Sequence, residues 1–260
     1  MLMGFAVILG EAIGSQIIPA KAAVCGFWTG FFLLGACMVL DFDRGITVSN
    51  TQNGILPVDV VRPNEALSCG IVLASFGLLS AAYLGAWALL TAALCVVVII
   101  VYHTWLKKHD LVGEVFVGIF MALIFIFAGF AVGRLAWPLT IFAIMAFLAS
   151  MGRAIMRNLA KLEEGSASGA KSESASAGYG QAGKQSAASF LATVAISVLP
   201  PLRGLVSIYF IPLTVICDVG FLLTAYSLLI SPTSNTAKRN SKYVLLWMSF
   251  GLLAFVIGTI

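Results

Sequence analysis

Nine apolar stretches follow one another along the chain, separated by polar interruptions: about Leu2 to Pro19, Ala22 to Leu40, Ala66 to Gly85, Trp87 to Leu106, Val112 to Val132, Ala136 to Met151, Ala187 to Leu202, Leu205 to Ile230 and Tyr243 to Ile260. A bilayer core about 30 Å thick is crossed by about 20 apolar residues in a helix, because every backbone polar group must be satisfied within the segment. The pattern therefore predicts an all-α fold, a polytopic membrane bundle of about nine transmembrane helices in a single domain over residues 1–260. Composition agrees. Charged residues are 10% of the chain and hydrophobic ones 60%, against roughly 25% charged in an ordinary soluble domain, and the mean hydropathy is +1.03. A water-soluble fold is excluded.

The charges are distributed unevenly. The polar segments after the second, fourth, sixth and eighth runs carry Arg44, Arg62, Lys107, Lys108, Arg153, Arg157, Lys161, Lys171, Lys184, Lys238, Arg239 and Lys242, whereas the alternate segments carry Lys21, Arg134 and Arg203. Twelve of fifteen cations thus fall on one side, which the positive-inside rule assigns to the cytoplasm. The expectation is a multi-pass protein of the cell membrane with its N-terminus inside and its C-terminus outside. The net charge of +4 follows from this topology, and nothing points to nucleic acid. Glu11 sits within the opening run and no basic residue precedes Lys21, so the run lacks the charged start of a secretory signal and is expected to remain as the first membrane helix. The five cysteines (Cys25, Cys37, Cys69, Cys95 and Cys217) form no C-x-x-C pair and read as small core residues.

Two connections on the cytoplasmic side are long, about 41–65 and 152–186, and polar chemistry is expected in them. Within the second, Gly165 to Ala188 is rich in Ser, Ala and Gly, a composition that reads as a flexible loop, either a lid or slack. No P-loop, G-x-S-x-G, H-E-x-x-H or paired-cysteine zinc spacing occurs. His103 and His109 lie at a helix end and in a short loop, where a solvated or headgroup-facing role outweighs metal ligation.

The residues around these two connections carry a resemblance. From Gly35 the chain reads G-A-C-M-V-L-D-F-D-R-G-I-T-V-S-N, and it continues through Leu56 and Pro57 to R-P-N-E-A-L at Arg62. From Arg153 it reads R-A-I-M-R-N-L-A-K-L-E-E-G. Together with V-L-P-P-L-R-G-L, C-D-V-G-F-L and S-P-T-S-N-T-A-K-R-N-S-K farther on, these segments resemble the UbiA family of prenyltransferases, in particular its archaeal branch. The family's signatures are N-D-x-x-D-x-x-x-D with a following E-A-L, and R-E-I-x-K-D-x-x-D-x-E-G-D. The likeness runs over nearly the whole chain. The family's usual opening R-P-x-N is absent, so a truncated or misassigned start is expected. The resemblance implies a UbiA-like helical bundle capped by the two polar segments. It further implies magnesium ions held between two aspartate motifs, an isoprenoid diphosphate donor and a lipid-like acceptor. Archaeal members transfer a geranylgeranyl group to a glycerol phosphate lipid for ether-lipid synthesis.

At the family's metal positions this chain departs from the pattern. The first motif's Asn, Asp, Asp and Asp fall on Val39, Leu40, Asp43 and Thr47, and the second motif's three aspartates on Asn158, Lys161 and Gly165. Asp43 is the one motif carboxylate retained, with Asn158 as a remaining oxygen donor; these two are the candidate metal ligands. Asp43, Asn158 and Lys161 are the candidate catalytic residues. Magnesium prefers hard oxygen ligands, and a lysine in their place reverses a charge worth roughly 4 kcal/mol at 4 Å and an effective dielectric of 20. That argues against a two-magnesium site. What the segment offers instead is a stripe, Arg153, Arg157 and Lys161 at i, i+4 and i+8, on one helical face. Two readings stay open: the stripe holds a diphosphate directly, or it touches lipid headgroups as a topology signal. Lys107 and Lys108, in a segment similar to the family's Y-x-x-x-L-K-R, join the candidate diphosphate-binding residues. Asp218 lies within an apolar run, where an ionisable group faces the bundle interior and is functional by default.

Two functions follow. One is a membrane prenyltransferase with altered diphosphate binding. The other is a noncatalytic protein that binds isoprenoid lipids or partners an active paralogue, having lost five of six motif aspartates.

Overall fold

A computed structural model describes residues 20–49, 63–104, 110–133, 137–161 and 173–259. Among the described residues there is no strand. The helices are α1 (Ala20–Ser49), α2 (Pro63–Leu84), α3 (Ala86–Thr104), α4 (Asp110–Ala131), α5 (Trp137–Lys161), α6 (Glu173–Ser197), the single turn α7 (Leu199–Leu202), α8 (Phe210–Ile230) and α9 (Ser234–Thr259). The chain divides into two compact units, residues 1–107 with 123–135 and residues 108–122 with 136–260.

In the first unit α1 and α2 run antiparallel. Ser80 Oγ donates to the Cys25 carbonyl at 2.9 Å, and farther along, a Cβ on Gly77 would meet Leu33 at 3.3 Å and one on Gly35 would meet Leu73 at 3.4 Å. Glycines at the crossing let the backbones approach, which is how helices gain dispersion energy where lipid removes the hydrophobic drive between them. Phe32 packs on Phe76 across the same pair, with ring centroids 5.7 Å apart. The turn from α2 to α3 is made by Gly85 at φ 137°, a backbone conformation closed to side-chain-bearing residues. Lys21 lies 4.0 Å over the Tyr83 ring.

The second unit is built on a ring of four long helices. α5 packs on α6, α6 on α8, α8 on α9 and α9 back on α5, each pair antiparallel. Ser186 Oγ donates to the Gly152 carbonyl at 2.8 Å, joining α6 to α5. Phe190 stacks on Phe221 with centroids 5.2 Å apart, joining α6 to α8. A Cβ on Gly220 would overlap the Trp247 ring, so the bare backbone of α8 at Gly220 receives that ring from α9. Ser234 Oγ closes the ring by donating to the Ala160 carbonyl at 2.8 Å, an otherwise orphan acceptor at the C-terminal end of α5. The core inside holds Met156, Leu159, Phe190, Phe221, Leu228 and Val244. Large apolar side chains such as Ile211, Val215, Leu223 and Tyr226 point outward from α8, as lipid-facing residues do.

This ring supplies the four segments long and apolar enough to cross a membrane: Trp137–Ala160, Gly180–Leu202, Phe210–Ile230 and Ser234–Gly258. The apolar helices Val24–Cys37, Ser68–Leu84, Ala86–Tyr102 and Val115–Ala131 are shorter. Of the nine apolar runs, eight overlap described helices and the first, Leu2 to Pro19, falls outside the described residues. About nine spans are thus not established; among the described residues four helices meet the requirement, by length and composition.

Two loop expectations need correction. The segment from Glu173 onward, read as part of a flexible Ser/Ala/Gly loop, is the first half of α6. One of its small residues serves close packing: a Cβ on Gly183 would meet Pro232 at 2.9 Å and the Leu228 carbonyl at 3.1 Å. Small side chains also lose little entropy on ordering, so the composition of a linker is here that of an interface. The connection at 41–65 is likewise shorter than the hydropathy suggests, since α1 continues to Ser49 and α2 opens at Pro63; proline is favoured at a first helical position, where its missing N–H is no loss. None of the five cysteines is in a disulfide; Cys95 and Cys217 are buried, but Cys69 is exposed and not a core residue.

Candidate functional site

Helix α5 carries the second motif. Its first half is apolar apart from Thr140, and charged residues begin only at Arg153, so one continuous helix passes from an apolar segment to a polar end. At 1.5 Å rise per residue, Arg153, Arg157 and Lys161 are spread over about 12 Å of one face. Packing orients that face. Gly152, on another side of the helix, abuts α6: a Cβ there would meet Ser189 at 3.1 Å, the Ser186 carbonyl at 3.2 Å and Phe190 at 3.3 Å.

The cations differ in setting. Arg153 is half-buried and Arg157 exposed, and Arg157 is the like-charged neighbour of Arg153 one turn away. The Nε of Arg153 is buried without a hydrogen-bond partner. Asn158 is half-buried and engaged by neighbours. Lys161 is the last residue of α5, and its side chain lies outside the described ones. Val39, Leu40, Asp43 and Thr47 all fall in α1 of the first unit, again with side chains outside the described ones, while Lys107 and Lys108 are outside the described residues altogether. The structure thus brings Arg153, Arg157 and Asn158 together on one helix.

Asp218 occupies the middle of α8 and accepts a 2.6 Å hydrogen bond from Ser197 Oγ at the end of α6. That hydroxyl is also 2.8 Å from the Val194 carbonyl, and Ser197 is 1% exposed. The pair links two helices of the ring. Sequence reasoning singled out Asp218 but missed its partner, because Ser197 carries no signal until the fold sets α6 against α8. It also missed Ser150, one turn before Arg153.

Among the described residues no three His, Cys, Asp or Glu side chains gather as a metal site. The described side chains of the second motif are two guanidinium groups and one amide, whereas magnesium takes an octahedral shell of oxygens. These residues do not fit magnesium. Their chemistry suits a phosphate: guanidinium groups bind phosphate oxygens in charge-assisted, often bidentate hydrogen bonds.

The described residues thus form an all-helical bundle of apolar helices, one of which ends in a cationic stretch, the class of helical membrane proteins. The family model of the UbiA prenyltransferase family matches residues 2–251, and the chain belongs to that family. Among its relatives, the digeranylgeranylglyceryl phosphate synthase of Methanocaldococcus jannaschii is 28% identical over 260 residues, covering 97% of this chain and 90% of the relative. The synthase of the same name from Thermococcus sibiricus is 27% identical over 263 residues, covering 100% and 93%. A solved structure of digeranylgeranylglyceryl phosphate synthase superposes with a TM-score of 0.82 at 25% identity, covering 100% of this chain and 93% of that one. An apo UbiA homologue from Aeropyrum pernix K1 shares the fold, with a TM-score of 0.72 at 16% identity over 97% of both chains. The resemblance read from the two motifs is therefore correct, and the chain is a UbiA-family membrane protein similar to archaeal digeranylgeranylglyceryl phosphate synthases.

Proposed function

We propose that this chain is a membrane prenyltransferase that transfers a geranylgeranyl group from its diphosphate to a glycerol phosphate lipid acceptor. The observation that carries the reading is the end-to-end likeness to the synthase, in sequence over 97% of the chain and in fold over all of it. The expected site is on the cytoplasmic side of the cell membrane, at the polar end of α5. Arg153, Arg157 and Lys161 hold the diphosphate. By family position Lys107 and Lys108 are further candidates for the diphosphate, and Asp43 and Asn158 fall at the family's metal and catalytic positions. As the allylic C–O bond breaks, the electron pair leaves with the diphosphate and its charge is met by the cations; the acceptor hydroxyl oxygen bonds the allylic carbon and loses its proton to the medium. Fixed positive charge aimed where negative charge grows is worth most in a dry site.

One observation favours a second reading. Asn158, Lys161 and Gly165 stand where the family has three acids, and a chain without them could bind isoprenoid lipids, or support an active paralogue, without catalysing. The experiment uses the full-length protein in nanodiscs, labelled geranylgeranyl diphosphate and a monogeranylgeranyl glycerol phosphate acceptor, with magnesium and with chelator. Turnover establishes the transferase. If turnover survives chelator, the cations act directly; if chelator abolishes it, a metal takes part and the cationic account fails. Saturable binding without turnover, lost in Lys161→Asp, establishes the second reading.

A further inference from the structure

Hydroxyl groups inside apolar helices ordinarily donate to the carbonyl three or four residues earlier. In this protein Thr29, Thr91, Ser189, Thr193, Thr224 and Ser249 all do so, at 2.8 to 3.1 Å. Ser150 does not. It is 5% exposed, yet its Oγ has no hydrogen-bond partner, and the same is true of the buried Nε of Arg153. At about 100° per residue these two positions are about 60° apart around α5, and Ser150, Arg153, Arg157 and Lys161 share an arc of about 80°. Two unsatisfied polar atoms thus belong to positions one turn apart on the face that carries the cations. The opposite side of α5 is clamped to α6 through Gly152 and Ser186, so the arrangement is held in place. A buried polar group left unpaired carries its full desolvation cost, and such groups are rare enough to require a reason.

We propose that Ser150 Oγ and the Arg153 guanidinium form a phosphate-oxygen subsite, one turn deeper in the bundle than Arg157. The ligand supplies the partner that the fold withholds: a serine hydroxyl and a guanidinium N–H can both donate to one phosphate group. This inference rests on the reading of the chain as a protein that binds isoprenoid phosphates. The phosphate belongs either to the isoprenoid diphosphate or to the glycerol phosphate acceptor. Thr214 Oγ1 is also buried and unpaired, but it lies in the first turns of α8 with no cation in its helix and serves as the control.

The test uses the full-length protein in detergent micelles. It compares wild type, Ser150→Ala and Thr214→Val for the thermal midpoint without ligand and for the affinities of geranylgeranyl diphosphate, the monogeranylgeranyl glycerol phosphate acceptor and geranylgeraniol. Ser150→Ala is expected to raise the ligand-free midpoint while weakening one of the two phosphate ligands roughly ten- to a hundredfold, the size of a lost charge-assisted hydrogen bond. Geranylgeraniol, which has no phosphate, is unaffected. The ligand that weakens identifies the source of the phosphate. Thr214→Val raises the midpoint and leaves both affinities alone. If Ser150→Ala binds both phosphate ligands as wild type does, the hydroxyl serves only a water or nothing, and the proposal is overturned while the functional reading stands. If wild type binds neither ligand, the functional reading fails and the subsite with it.

Discussion

Two polar intrusions into the apolar second unit are built from the same kinds of residue and end in opposite states. At the junction of α6 and α8, Ser197 and Asp218 satisfy one another at 2.6 Å. On α5, Ser150 and Arg153 stand one turn apart and leave two buried atoms unsatisfied. Burying a polar group costs free energy unless it is hydrogen-bonded, so the first pair contributes to stability and the second detracts from it. The difference separates a group that the fold uses from a group that the fold keeps for something else. Asp218, the residue a hydropathy reading marks first as functional, is tied to a neighbouring helix; Ser150, which no reading marks, is buried with its hydroxyl unpaired.

The sharpest way to break this comparison is to remove the cations. Arg153→Ala combined with Arg157→Ala should lower the affinity for geranylgeranyl diphosphate by roughly a hundredfold or more, at about 1.5–3 kcal/mol for each hydrogen-bonded charge, with the unfolding midpoint unchanged or raised. Calorimetric titration and thermal unfolding of the same preparation check both halves; a lowered midpoint would make the stripe structural. Next in size is Gly152→Val, which forces side-chain volume between α5 and α6 and should cost about 2–3 kcal/mol of stability as overpacking does, read as a reduced denaturant midpoint. Ser197→Ala should then cost about 1–2 kcal/mol by leaving Asp218 unpaired, and leave ligand affinity unchanged. A loss of affinity in that variant would move Asp218 to the binding side of the comparison. The smallest effect is that of Thr214→Val, a gain of about 1 kcal/mol or less from deleting an unpaired hydroxyl, measured as a small rise in thermal midpoint.

Much of the helical layout was legible because lipid imposes a simple rule. Backbone polar groups must be satisfied internally, so a sustained apolar run such as Phe210–Ile230 has one available form. The second motif was legible as well, since the spacing of Arg153, Arg157 and Lys161 describes a helical face whether or not that helix is in the membrane. The reading failed at the stretch now seen as the first half of α6. There Ser, Ala and Gly fit a flexible linker and a tightly packed helix equally, and the choice depends on whether Pro232 and the Leu228 carbonyl are present to receive them. Ser150 was illegible for a related reason. A serine in an apolar run is expected to bond its own helix, and its failure to do so is visible only once the side chains around it are placed.

The sequence by itself determined that the chain is a helical membrane protein, that it belongs with the UbiA prenyltransferases, and that Arg153, Arg157 and Lys161 follow one another at helical spacing in the second motif. These follow from hydropathy, motif spacing and side-chain charge, which are properties of residues in order along a chain. Only the tertiary structure decided which helices close into the antiparallel ring, that Asp218 accepts a hydrogen bond from Ser197, and that Ser150, one turn from Arg153, is buried with its hydroxyl unpaired. Hydrogen-bond satisfaction depends on what lies within about 3 Å, and residues far apart in the chain come that close only when the helices pack.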